Sequence, residues 1–268
     1  MSFASLRALV AAGLVCFAAA TPARELRVCA DPDNLPLSHA NGSGFENRIA
    51  RLVADEMGAE LRYDWMPLRR GFVRKTMGSG SCDVFIGVPK TFGPVLTTRP
   101  YYRSSYVFVD GPAAQGIDRF DDPRLKHLRV GVQLVGNDLA ATPVGHALTM
   151  NGHINNVRGF TIYGYGPASQ RMISAIADRT LDAALVWGPQ AGYFAAHAAP
   201  RPELRLARVP VALANFPFEF DIAMGVRRGD VALRDELDGI LERRRRDIDA
   251  ILAAYSVPRT DGPHAGRP

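Results

Sequence analysis

From Glu25 onward, short β-rich runs alternate with amphipathic stretches, and this order of elements is the tightest constraint the sequence places on its fold. Residues 26–30 read as a strand, 31–36 as turn chemistry, and Phe45, Ile49, Leu52, Val53 and Met57 fall on one helical face. A strand at 61–66, a helix at 71–77, a buried strand at 83–88 and a strand at 106–109 follow. After breaks at 110–112 and 116–126 the theme repeats, with strands at 129–133, 157–163, 181–187 and 204–209 and helices at 139–150, 169–177 and 190–197. Such alternation implies parallel sheets covered by helices. The tail adds a strand at 220–226 and one helix at 232–255, whose apolar stripe runs from Leu233 and Leu237 through Ile248 to Tyr255. One strand and one helix cannot make a domain, so they complete the first of two α/β lobes.

The 268 residues are 47% hydrophobic and 22% charged, ordinary globular proportions with room for two lobes. Residues 1–23 carry one basic residue, Arg7, then an uncharged run from Ala8 ending in small residues. This reads as a secretory signal peptide, too short for a spanning helix of ~20 apolar residues. A formal net charge of +5 carries no nucleic-acid signal, and the arginines at 243–246 read as a solvated helix face. Residues 259–268, polar and rich in Gly and Pro, read as a disordered tail. Without Cys16, which leaves with the leader, Cys29 and Cys82 remain. Export permits a bridge between them, but parallel neighbouring strands would hold them at different heights, which weighs against one.

In open parallel sheets the loops after the strand carboxyl ends line the cleft. This selects Asp31, Asp33 and Asn34, the loop 67–70 holding Arg69 and Arg70, the loop 89–92 from Pro89 to Phe92, then Gln133 and Trp187. The oxygens of Asp31, Asp33 and Asn34 suit a hard cation, yet two carboxylates on a Pro-broken loop before a helix more commonly make turn contacts, and no metal is expected. His39, His127, His146, His153, His197 and His264 show no ligand spacing. Aromatic rings and guanidinium groups, among them Trp65, Phe72, Tyr101, Tyr102, Tyr163, Tyr165, Arg74 and Arg103, suit a flat anionic cofactor or a protein edge. No G-x-S-x-G, H-E-x-x-H, P-loop or dinucleotide fingerprint is present. Glu46 is the one candidate general acid, though an acid on a first helical turn ordinarily makes dipole contacts. The expected class is non-enzymatic.

The order of elements is similar to the type-II periplasmic binding protein fold, in which the chain crosses a hinge twice. By that analogy lobe 1 is 24–110 and 212–258, lobe 2 is 111–211, and the hinge lies near 110–112 and 211–217. Five strings resemble the narrower MxaJ/XoxJ family: Arg27-Val-Cys-Ala-Asp-Pro-Asp-Asn-Leu-Pro36, Gly44-Phe-Glu-Asn-Arg-Ile-Ala50, Arg70-Gly-Phe-Val-Arg74, Cys82-Asp-Val-Phe-Ile-Gly-Val-Pro89 and Thr98-Arg-Pro-Tyr-Tyr-Arg-Ser-Ser-Tyr106.

The family resemblance implies a periplasmic accessory role to a methanol or alcohol dehydrogenase that carries pyrroloquinoline quinone (PQQ) with calcium or a lanthanide, with a cytochrome c as a further partner. It implies no cofactor for this chain. Amino-acid receptors of the wider fold carry an arginine clamp for the ligand carboxylate after the third strand; here residues 89–98 hold no arginine before Arg99, so amino-acid capture is not expected. The alternative is a receptor delivering a small molecule such as PQQ to an ABC importer.

Overall fold

The computed structural model describes residues 24–69, 71–135, 140–161, 166–198, 204–213 and 215–261. The expected leader, Arg70, Tyr163 and Tyr165 lie outside these residues. The first half contains β1 (Glu25–Ala30), α1 (Phe45–Met57), β2 (Glu60–Trp65), α2 (Phe72–Lys75), β3 (Val84–Pro89) and β4 (Tyr102–Asp110). The second contains β5 (Val130–Val135), α3 (Pro143–Met150), β6 (Val157–Thr161), α4 (Ala168–Ala177), β7 (Ala183–Trp187), α5 (Gly188–His197) and β8 (Arg205–Arg208). Then β9 (Glu219–Val226), α6 (Val231–Arg243) and α7 (Arg245–Ala254) return to the first half.

The strand order β6-β5-β7-β4-β9-β3-β1-β2 contains one arrangement twice. In the first half β1 lies parallel between β2 and β3, with β9 antiparallel beside β3. In the second β5 lies parallel between β6 and β7, with β4 antiparallel beside β7. Strand β4 belongs to both: Tyr102 to Ser105 pair with β9, whereas Tyr106 to Asp110 pair with β7. Its first residues escape hydrophobic patterning because Ser104 and Ser105, although buried, are polar.

Helix α1 starts where the Asn47 side chain accepts the Gly44 and His39 amide N–H groups at 3.0 and 2.9 Å, satisfying donors at the helix entry. Gly58, at φ 60°, ends it in the left-handed region. Phe45, Ile49 and Val53 are fully buried between the sheet and α6–α7, each contributing roughly 1.5–3 kcal/mol.

Several elements differ from the sequence reading, each for a local reason. The helix expected over 139–150 begins only at Pro143, which opens it at a position where its missing N–H costs nothing. The helix expected over 71–77 stops at Lys75, and a 3-10 turn, Met77–Ser79, takes over. The tail helix is two helices broken at Arg244, whose guanidinium bonds both Glu56 of α1 and Asp247. Arg243 also pairs with Glu56, whose carboxyl these two arginines hold below its ordinary pKa, so part of the basic run ties α6 to α1. The expected disordered tail begins with three placed residues: Arg259 pairs with Asp249 and Asp261, and Thr260 N–H donates to Arg103 O.

Cys29 and Cys82 form a disulfide, contrary to the expectation of different heights. That expectation treats Cys82 as an extension of β3. Instead Asp83 N–H donates to Arg27 O, and Cys82 arrives from the layer formed by α2 and its 3-10 turn, which lies over the sheet face that Cys29 points to. Their Cα atoms are therefore 5.4 Å apart. The bridge closes a 53-residue separation, so replacing both cysteines by serine is expected to cost about 4 kcal/mol on the chain-entropy scale. Urea unfolding checks the loss; unchanged stability, or two titratable thiols in the oxidised native protein, would contradict the bridge.

Candidate functional site

The carboxyl ends of β1, β2 and β3 open onto a cavity of about 540 Å³ whose lining, among the described residues, falls between Cys29 and Pro94. The described residues that line it all belong to the first half of the molecule. Its walls are largely apolar and aromatic, with Phe72, Phe85, Ile86, Val88 and Phe92 prominent. Phe72 and Phe85 pack with ring centroids 5.3 Å apart. The disulfide contributes Cys29 to the lining, and Leu68, 53% exposed, stands at the mouth.

Of the residues selected from sequence, Asp31, Asn34, Glu46, Arg69, Phe72, Arg74, Pro89 and Phe92 meet at this cavity. Asp31 serves as a turn acceptor, taking the Asp33 N–H at 2.9 Å and the Leu68 N–H at 2.5 Å. Asp33 lies in the short ladder with His39 that braces this loop. Among the described residues no group of three or more His, Cys, Asp or Glu side chains is placed to hold a metal ion.

The other candidates are elsewhere. Tyr101 and Tyr102 are core residues, 1% and 2% exposed; the Tyr101 hydroxyl donates to Ile86 O at 3.0 Å, and Tyr102 meets the Phe45 ring edge-on. Burial pushes both hydroxyls well above the ordinary tyrosine pKa. Trp65 stacks on Tyr63 at 4.4 Å. Arg103 is locked to its ladder partner Asp221 by two 2.7 Å bonds, which hold the Asp221 carboxyl below its ordinary value. Gln133 ends up opposite Phe160 in the β5–β6 ladder. Trp187 sits between Tyr106 and Phe220, in an aromatic row spanning the junction of the halves. Arg99 faces away from the cavity, bonded to Asp238 and Glu242 on α6.

Glu46 is the unusual group. Its Oε1 is buried without a hydrogen-bond partner, and removal from water raises its pKa to about 8. Gly87 makes room for it: a Cβ there would lie 2.1 Å from Oε1. A glycine within the buried run Phe85-Ile86-Gly87-Val88 is a readable sign of such close approach, and it escapes a search aimed at charged and aromatic residues.

Folded Glu46 binds its proton more tightly than the unfolded chain does. Its contribution to stability therefore falls as pH rises from its ordinary 4.5 towards about 8, and is level beyond. Glu46→Gln is expected to match the parent near the acid end and to exceed it by a growing margin up to about pH 8. Urea midpoints across that range check this, and parallel profiles for both proteins would refute it.

No family model matches the chain. Protein MoxJ of Methylorubrum extorquens is 34% identical over 263 residues, covering 90% of this chain and 83% of that protein. The crystal structure of the periplasmic binding protein XoxJ from Methylobacterium extorquens AM1 is 33% identical, with a TM-score of 0.71 over 87% of this chain and 98% of that one. The crystal structure of MxaJ from Methylophaga aminisulfidivorans is 25% identical, with a TM-score of 0.72 over 87% and 99%. The twice-built sheet joined through β4 and the extent of these matches lead to one assignment: the chain belongs to the MoxJ family, the MxaJ/XoxJ group of proteins with a type-II periplasmic binding protein fold.

Proposed function

We propose that this protein is a non-catalytic periplasmic accessory protein of a PQQ-dependent alcohol dehydrogenase, binding that enzyme to assist its maturation or activation. Family membership supplies the setting, and a disulfide suits an oxidising compartment. No helix among the described residues is long and apolar enough to cross a membrane.

The observation that carries the reading is the seating of α5, the helix of the second half that borders the cleft. Gly188 and Gly192, one turn apart, bring it against first-half backbone: a Cβ on Gly188 would lie 2.6 Å from Ser105 O, and one on Gly192 would lie 2.1 Å from Ser256 O. Tyr193 stacks on Tyr255, Gln190 donates to Asn34 at 3.3 Å, and Leu35 packs into the apolar cluster beneath α5. A helix held from both sides suits a fixed recognition surface better than a clamshell that signals by closing on a solute. The cavity in the first half favours a second reading, a small-molecule receptor of an ABC importer.

Tagged mature protein is expected to co-purify with the apo or holo dehydrogenase of the same cells, and deletion of its gene to lower active dehydrogenase. No association at micromolar concentration together with normal maturation would overturn the proposal. Gly192→Val is expected to displace the Ser256–Pro258 segment, destabilise the protein by about 1–3 kcal/mol and weaken partner binding. Thermal unfolding and the same co-purification measure both effects, and unchanged values in both would remove α5 seating as the basis of the reading.

A further inference from the structure

The cavity wall has a chemical polarity that partner binding does not use. Two guanidinium groups, Arg69 and Arg74, line it, both exposed and neither paired with a carboxylate among the described residues. The same lining holds Phe72, Phe85, Ile86, Val88 and Phe92. Glu46 marks the inner end, since it also borders a small void of about 10 Å³ behind the cavity, next to Asn47 and Tyr63. An anion-attracting mouth, an apolar body and one unsatisfied carboxyl at the back describe a single ligand shape. The volume, about 540 Å³, falls within the range that encloses compact organic ligands.

We infer that the first-half cavity is a binding site for an organic anion with an apolar ring body, its anionic group held by Arg69 and Arg74 and a carbonyl oxygen at its far end accepting the Glu46 O–H. Paired guanidinium groups bind carboxylate or sulfonate through charge-assisted bonds. Aromatic walls accept a ring face or edge. A protonated carboxyl is a hydrogen-bond donor, and because Glu46 Oε1 is sealed within the protein, the carbonyl oxygen would accept from the other carboxyl oxygen, Oε2. Above about pH 8 the same group ionises and repels that oxygen. The hydroxyls around Glu46, of Tyr63 on β2 and of Tyr101 and Tyr102 at β4, are all raised by burial and stay protonated through this range. Asp31, the other acid in the lining, is engaged by two backbone N–H groups.

Anthraquinone-2-sulfonate carries all three features and serves as the probe, titrated calorimetrically into the mature protein alone. Anthracene-2-sulfonate lacks the carbonyl, and 2-(aminomethyl)anthraquinone reverses the charge. Saturable binding is expected for the first probe, with about tenfold weakening in Arg69→Ala or Arg74→Ala, both exposed positions where folding is not at stake. Glu46→Leu is expected to abolish the preference for anthraquinone over anthracene sulfonate, together with the decline in affinity above about pH 8. Retained binding of anthracene-2-sulfonate by that variant shows that it has folded. No saturable binding at about 1 mM probe, stronger binding of the amine, or indifference to both arginine substitutions would overturn the site. The measurement needs no dehydrogenase, so its failure leaves the partner-binding proposal standing, and failure of co-purification leaves this site standing.

Discussion

Hydrogen bonding along β4 is the interaction on which the rest of the molecule depends. Ser105 pairs with Glu219 of β9 and the next residue, Tyr106, with Trp187 of β7, so one uninterrupted strand is shared by two sheets. A backbone committed to ladders at both ends cannot turn one half without twisting the other. That is why the aromatic row of Tyr106, Trp187 and Phe220 lies where it does, and why the C-terminal segment, through Pro258 and Thr260, bonds to Ser104 and Arg103 of the same strand. The two halves are thus registered to each other by main-chain geometry before any side chain across the cleft takes part.

The repeated fold was largely legible in the sequence because it is written in hydrophobic periodicity, which survives local irregularity. Phe45, Ile49 and Val53 had to share a helix face, and residues 83–88 had to be buried on both sides. What periodicity leaves unread are features built from polar or small residues. Ser104 and Ser105 conceal half of β4, Arg244 breaks a helix whose apolar stripe runs straight through it, and Cys82 sits in a layer that strand counting does not contain.

The candidate site was partly legible for a similar reason. Reasoning from strand ends finds Asp31, Asn34, Arg69, Pro89 and Phe92, because topology dictates where those loops emerge. It also selects Gln133 and Trp187, which belong to the other half and do not line the cavity. The choice of Tyr101 and Tyr102 rests on residue type, and both rings are consumed by the core. Gly87 carries no functional group to attract such a search, yet its missing side chain is what allows an uncompensated carboxyl to sit against the sheet.

The disulfide has a bearing on more than stability. It fastens the layer carrying Phe72 to the strand carrying Cys29, and both residues are part of the cavity wall. A chain whose thiols are still reduced keeps the hydrogen bonds from Arg27 to Gly80 O, from Arg227 to Met77 O and from Ser81 to Asp64 that hold this layer, but lacks its covalent tie to β1. The bond therefore adds a covalent limit on how far the wall that carries Phe72 can move from the strand that carries Cys29.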